Sequence, residues 1–196
     1  MIYPNTATLE PEQLSVLLEE YRKHNFIDPE VSEKLGVKRG LRNPDGTGVL
    51  AGLTSICDVQ GYITNTDGSI TPSKGHLIYR GYDIDDFAKE AVETDTFMFE
   101  KVIWLLLLGN LPTEKELEMF QEILESHREL PDGFAEKMIM SVPSPNIMNQ
   151  MARSVLSMYA YDPDPENTSL EHIVRQYIYL IADIPTMFVY AYESYR

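Results

Sequence analysis

The sequence has 196 residues, of which 43% are hydrophobic and 24% charged, a balance that excludes a disordered chain and is typical of a globular protein. Lys and Arg total 16 against 31 Asp and Glu, so the formal net charge is −15. A field of this sign repels nucleic acid phosphates and anionic lipid headgroups. We therefore expect neither nucleic acid nor a membrane as a partner.

The compartment is predicted from the apolar segments and the cysteine content. Residues 102–108 and 177–192 are the most apolar segments, and both are shorter than the ~20 residues that a membrane span needs. The first residues have neither the basic region nor the apolar stretch of a signal peptide. The single cysteine, Cys57, cannot form an intrachain disulfide, and we expect it to be a small buried side chain. These features predict a cytoplasmic protein.

The first third of the chain combines two short helices, a loop and a hairpin. Hydrophobic periodicity and end signals predict helices over residues 11–24 and 29–35, and a loop rich in turn formers follows over 36–48. Residues 54–62 and 76–79 are predicted strands. The turn residues at 65–69 would join them as a hairpin with a long, irregular tip, which is the only β signal in the sequence.

After Gly81 the pattern is helical throughout. Asp83 and Asn146 are predicted N-caps, Thr168 is predicted to open the last helix in a capping box with Glu171, and Pro185 is predicted to kink that helix. The chain ends without a glycine, asparagine or proline stop, so we expect it to be a piece of a longer protein. The predicted fold is all-α with one small hairpin, and its later helices cover residues 84–91, 96–108, 113–127, 134–141, 147–161 and 168–196.

The residues themselves do not form a recognisable catalytic set. The sequence lacks a nucleophile elbow, a phosphate loop and a dinucleotide fingerprint. Asp83, Asp85 and Asp86 are better explained as a capped helix start than as an acid–base group. No two histidines have the spacing of a helical metal pair, so we expect no metal site and predict hydrogen-bonded or solvent-facing roles for His24, His76, His127 and His172.

One basic cluster departs from the acidic composition. Lys38, Arg39 and Arg42 lie in a glycine-bearing loop, where guanidinium groups can bind a phosphate in bidentate fashion. The alternative is an ordinary basic surface turn, and the residues alone favour that alternative.

Five segments in order resemble the citrate synthase family. Residues 52–59 (GLTSICDV) and 75–84 (GHLIYRGYDI) are similar to the family's small N-terminal hairpin, and 99–113 (FEKVIWLLLLGNLPT) to its apolar helix and exit. Residues 158–164 (MYAYDPD) and 181–186 (IADIPT) fit the helices that follow. The chain differs at Pro145-Asn146-Ile147-Met148, where family members often have a His-Pro-Met start. The resemblance runs from about residue 37 to the end.

The resemblance implies an acyltransferase that condenses acetyl-CoA with oxaloacetate, giving citrate and CoA in the tricarboxylic acid cycle, with no cofactor beyond its substrates. It implies a mostly helical homodimer with a large and a small domain. Residues 1–36 would be N-terminal helices, and 37–196 the first part of the large domain without the small domain. The family's catalytic Asp and His residues match no position here, so we expect no catalytic residue in this chain. The loop with Lys38, Arg39 and Arg42 lies where some members bind CoA phosphate.

Alternatives within the class are 2-methylcitrate synthase, which takes propionyl-CoA, and the related domain of an ATP-dependent citrate lyase. A stand-alone helical dimerisation module without catalysis is an alternative from another class. We expect the chain alone to be inactive and to associate through the apolar faces of its later helices.

Overall fold

The computed structural model describes residues 10–35, 37, 49 and 52–196, without the side chains of Pro29, Ser32 and Glu33. The described residues fall into two compact units. The hairpin unit is the described part of Glu19–Thr113, and the helical unit joins Glu114–Arg196 to the first turns of the first helix. Across these described residues, no helix is both long enough and apolar enough to cross a membrane.

Helices dominate both units, as the sequence predicts. The helices are α1 (Pro11–His24), α2 (Pro29–Lys34), α3 (Ile84–Thr94), α4 (Phe99–Leu108), α5 (Glu114–Ser126), a π-helix (Ala135–Met140), α6 (Ile147–Met158), a 3-10 turn (Tyr159–Tyr161) and α7 (Leu170–Tyr195). The three strands are β1 (Cys57–Thr64), β2 (Ile70–Tyr79) and β3 (Tyr82–Asp83). The predicted all-α class with one small β element is confirmed.

The hairpin is longer and its tip shorter than predicted. Strands β1, β2 and β3 form one antiparallel sheet in that order, and the β1–β2 pairing reaches Thr64 and Ile70. The Asn65 side-chain amide donates to the hydroxyls of Ser69 and Thr71, both at 2.9 Å, and Gly68 supplies the positive φ of 82° that the turn requires. These bonds close the turn within five residues, so the strands continue up to it.

Cys57 is exposed, which corrects the prediction that it is buried. It is the first residue of β1, and every residue of that strand is exposed. The sequence-based expectation rested on the usual burial of a free cysteine. It failed because, among the described residues, none covers either face of β1.

Arg80 completes the C-terminal end of α4 in the hairpin unit. Its guanidinium donates to Ser55 Oγ at 2.8 Å and to the Leu106 carbonyl at 3.2 Å, and it also bonds Asn25 Oδ1. Asn25 in turn donates to the Leu107 carbonyl at 3.1 Å. The last carbonyls of a helix have no donor within the helix, so these two side chains satisfy them. Burial lowers the pKa of Arg80.

Gly109, directly after α4, permits a close approach of α1. It has a φ of +94°, and a Cβ built there would lie 2.4 Å from His24 Cβ. Both the backbone conformation and the space exclude a larger residue. Packing therefore requires glycine at the first position of the Gly-Asn-Leu-Pro segment that follows α4.

The helical unit is built around α7. Helices α5 and α6 and the π-helix all contact α7. Their shared core is one apolar cluster, in which the Phe134 ring meets the Tyr161 ring edge-on at 5.4 Å. The buried members of this cluster are Phe134, Ile139, Met151, Met158, Met187 and Ala191.

Three helix assignments differ locally from the prediction. The predicted helix at 134–141 is a π-helix, and its Ile139 carbonyl accepts a 3.1 Å hydrogen bond from Gln150 Nε2 on α6. The predicted helix at 147–161 ends as α-helix at Met158 and continues as a 3-10 turn. The last helix is capped by Ser169 rather than Thr168, because Ser169 has extended backbone and its Oγ accepts from the His172 amide at 3.3 Å.

Candidate functional site

The predicted phosphate-binding residues, Lys38, Arg39 and Arg42, lie outside the described residues. Their role stays a prediction.

Asp83 and Asn146, the two predicted N-caps, are confirmed: Asp83 Oδ1 accepts from the Asp85 amide at 2.9 Å, and Asn146 Oδ1 from the Asn149 amide at 3.0 Å.

His76 is tied to the Asp83 cap. Its Nδ1 lies 2.7 Å from Asp83 Oδ2, so both carboxylate oxygens are engaged. The backbone bond from Asp85, and then the bond from His76, lower the pKa of Asp83. A carboxylate held ionised in this way acts as a structural acceptor and is a poor proton donor. The predicted N-cap role of Asp83 is the part of the sequence-based interpretation that the structure confirms.

His172, Asp162 and Gln176 form the densest polar cluster of the helical unit. Asp162 Oδ2 lies 3.0 Å from His172 Nε2 and accepts a 2.8 Å bond from Gln176 Nε2. Asp162 Oδ1 accepts from the Asp164 amide at 2.9 Å. Burial alone would raise the pKa of Asp162, but these bonds outweigh it and lower that pKa. The prediction that His172 is hydrogen-bonded is confirmed.

This cluster forms one end of a cavity of about 530 Å³ within the helical unit. The walls come from the end of α6, the linker after it and the first turns of α7. The sequence analysis missed the cavity, because its walls join residues that are up to 25 positions apart (from Val155 to Leu180) and no motif marks them. The lining residues are Val155, Leu156, Met158, Tyr159, Asp162, Pro163, Pro165, His172, Arg175, Gln176, Tyr177, Tyr179 and Leu180.

Asp183 is a buried carboxyl group in the middle of α7. It is 0% exposed, and among the described residues neither of its oxygens has a hydrogen-bond partner. Burial raises its pKa from 3.8 to about 7. The sequence could have indicated that Asp183 is buried, because it is four residues before Met187 and therefore lies on the same face of the helix.

Among the described residues, no group of three or more His, Cys, Asp or Glu side chains is arranged to hold a metal ion. The polar clusters found here are ordered, mutually satisfied pairs and triplets. They orient helices and line a cavity.

Comparison with known proteins identifies the class. The family model described as "Citrate synthase, C-terminal domain" matches residues 42–196. The chain is 31% identical to 2-methylcitrate synthase 1 of Corynebacterium glutamicum over 150 residues, covering 76% of this chain and 33% of that protein. It is also 31% identical to the citrate synthase of Haloferax volcanii over 149 residues, covering 74% of this chain and 36% of that protein.

Two solved citrate synthase structures are similar to this chain in fold. The citrate synthase of Pyrobaculum aerophilum matches with a TM-score of 0.58 at 28% identity, covering 79% of this chain and 38% of that one. The Thermoplasma acidophilum enzyme, solved as a ternary complex with carboxymethyl coenzyme A and oxaloacetate, matches at 22% identity with a TM-score of 0.57 and supports the fold alone.

The chain belongs to the citrate synthase family, as its sequence motifs predicted. It spans about one third of the length of the curated relatives it matches.

Asp183→Asn should change how stability depends on pH. The folded-state pKa of about 7 lies above 3.8, the ordinary value for an aspartate in an unfolded chain. The unfolded chain therefore ionises first as pH rises, and the folded state is progressively disfavoured between about pH 4 and pH 7. Asparagine does not titrate. The free energy of unfolding of the variant, relative to the parent, should therefore increase by about 4 kcal/mol across that window and stay level above it.

Urea unfolding followed by circular dichroism at pH 4, 5, 6, 7 and 8 measures this difference. Asp86→Asn is the matched control, because Asp86 is on the exposed face of α3 with its side chain 69% exposed. A difference that is the same at every pH for Asp183→Asn would contradict the assigned pKa.

Proposed function

We propose that the whole protein to which this chain belongs is an acyltransferase that condenses an acyl-CoA with oxaloacetate. The observation that carries this proposal is the family match over residues 42–196 together with the agreement in fold. The substrates come from the similar proteins, whose names are citrate synthase and 2-methylcitrate synthase. Acetyl-CoA, giving citrate as in the tricarboxylic acid cycle, is our first choice of acyl donor, and propionyl-CoA is the alternative.

We also propose a cytoplasmic location, since one cysteine in the sequence suits a reducing compartment.

We propose further that the 196-residue chain alone does not catalyse this reaction. Forming an enol from a thioester needs a positioned base and a donor to the developing oxyanion. In the described residues, His76 bonds Asp83, His127 bonds the Ile123 carbonyl at 2.7 Å, and His172 bonds Asp162. These imidazoles serve the fold.

Release of free CoA thiol, measured with oxaloacetate and either acetyl-CoA or propionyl-CoA, tests both statements. The full-length polypeptide should release thiol only when oxaloacetate is present, and the faster acyl-CoA identifies the substrate. The isolated chain should release none with either donor. Turnover by the isolated chain would disprove its inactivity, and a full-length protein inactive with both donors would disprove the reaction.

The basic loop is proposed to bind the phosphates of CoA through Lys38, Arg39 and Arg42. The support is its charge, which opposes the net −15 of the chain, and the bidentate fit of guanidinium to phosphate. In the full-length enzyme, Arg39→Ala with Arg42→Ala should raise the KM for acyl-CoA by about tenfold or more, because charge-assisted hydrogen bonds are worth about 1.5–3 kcal/mol each.

The same double variant should leave the KM for oxaloacetate unchanged. Arg22→Ala with Lys34→Ala, two basic residues in the last turns of α1 and α2, is the charge-matched control and should leave both constants unchanged. An unaltered KM for acyl-CoA in the loop variant would remove the proposed site.

We propose that the chain forms a homodimer through the outer face of α7. Large apolar side chains at heptad-like spacing stay exposed along this helix, namely Ile184, Phe188 and Tyr195. A stripe of exposed apolar side chains on a helix that also packs into a core marks an interaction surface. Its apolar character suits a stable rather than a transient contact.

Phe188→Glu should convert the dimer to a monomer, because it places a charge in the middle of the stripe. Light scattering coupled to size exclusion measures the mass. Val92→Glu on α3 is the control: Val92 is also exposed and apolar but lies outside α7, so this variant should stay dimeric. Equal masses for the two variants would refute the assignment of α7 as the interface.

A further inference from the structure

The cavity beside α6 and α7 has the size and wall chemistry of a small-molecule site. Its volume of about 530 Å³ falls within the ~300–1,000 Å³ typical of ligand pockets. Most of its lining is apolar or aromatic, and its polar groups are gathered around Asp162, His172 and Gln176. Ligand pockets usually combine such apolar walls with a few placed polar groups.

The polar side chains at this end of the cavity are already hydrogen-bonded or paired with one another. The Asp162 carboxylate already accepts hydrogen bonds from the Asp164 amide and Gln176 and faces the His172 imidazole, so a cation would gain little by approaching it. Arg175, the one permanent cation in the lining, is paired with Glu171 at 3.0 Å. An anion would have to displace that pair in a strongly acidic chain. Neither sign of ionic ligand is favoured.

The aromatic side chains of the lining favour a ring. Tyr159, Tyr177 and Tyr179 all face the cavity. The Tyr179 ring is held in place by stacking on His127, with centroids 4.8 Å apart and an interplanar angle of 22°. A fixed aromatic wall gains contact area with a flat ligand at little entropic cost.

We propose that this cavity is a binding site for an uncharged small molecule with one or two aromatic or alicyclic rings and one hydrogen-bonding group. The rings lie between the tyrosines and the aliphatic walls, and the hydrogen-bonding group lies at the His172 and Gln176 end. This proposal does not rest on the proposed reaction.

The test uses 2-naphthol as the probe and the purified chain labelled with methyl-13C methionine. Met158 lines the cavity, whereas Met148 on the same helix does not. Titration should shift the Met158 methyl signal in a saturable way and leave the Met148 methyl signal in place. The anion 2-naphthalenesulfonate should bind at least about tenfold more weakly, because Arg175, the permanent cation of the lining, is already paired with Glu171.

Leu156→Trp should fill the mouth of the cavity and weaken 2-naphthol binding by about tenfold or more, a ratio that is about 1.4 kcal/mol. Met148→Trp is the matched control, since the two side chains are on α6 and are 76% and 75% exposed. Substitution at such exposed positions leaves the core intact, and circular dichroism checks this. The control should bind 2-naphthol as the parent does.

Three results would overturn the proposal. The first is a Met148 shift as large as that of Met158, or equal weakening by both tryptophan variants. The second is equal affinity for the sulfonate. The third is loss of 2-naphthol binding when the chain self-associates at high concentration, which would assign the cavity to a second copy of the chain.

Discussion

The helical unit depends on the burial of one face of α7. Helix α5, the π-helix and α6 each contact it, and its inward residues Ile178, Met187 and Ala191 are nearly or fully buried. A helix of 26 residues is stable in water mainly through such packing, and less through its intrinsic propensity. Pro185 inside it removes one backbone donor, which makes the packing more important still.

The order of elements could be predicted from sequence because each helix has a strong local signal. Asp83 and Asn146 cap helices as expected, and the helix at residues 11–24 was predicted with its observed ends. The predictions failed where non-local contacts decide. The π-helix is supported by Gln150 from another helix, and Cys57 is exposed because none of the described residues covers its strand, β1. The cavity was missed for the same reason, since its walls meet only in three dimensions.

Two of the described histidines are engaged in hydrogen bonds that hold the fold together. His76 and His172 each face a carboxylate with a lowered pKa, an arrangement that fixes a helix start and a linker. Asp183 is different, because it is buried with no hydrogen-bond partner among the residues that the structure describes, and its burial costs stability at neutral pH.

Native-state hydrogen exchange tests most directly whether α7 organises the helical unit. Opening free energies for the amides of Ile178, Ala182 and Met187 should equal the global free energy of unfolding, and those in β1, whose residues are all exposed, should be much lower. If the α7 amides exchange through a smaller opening while α5 and α6 stay protected, α7 is not the element on which the unit depends.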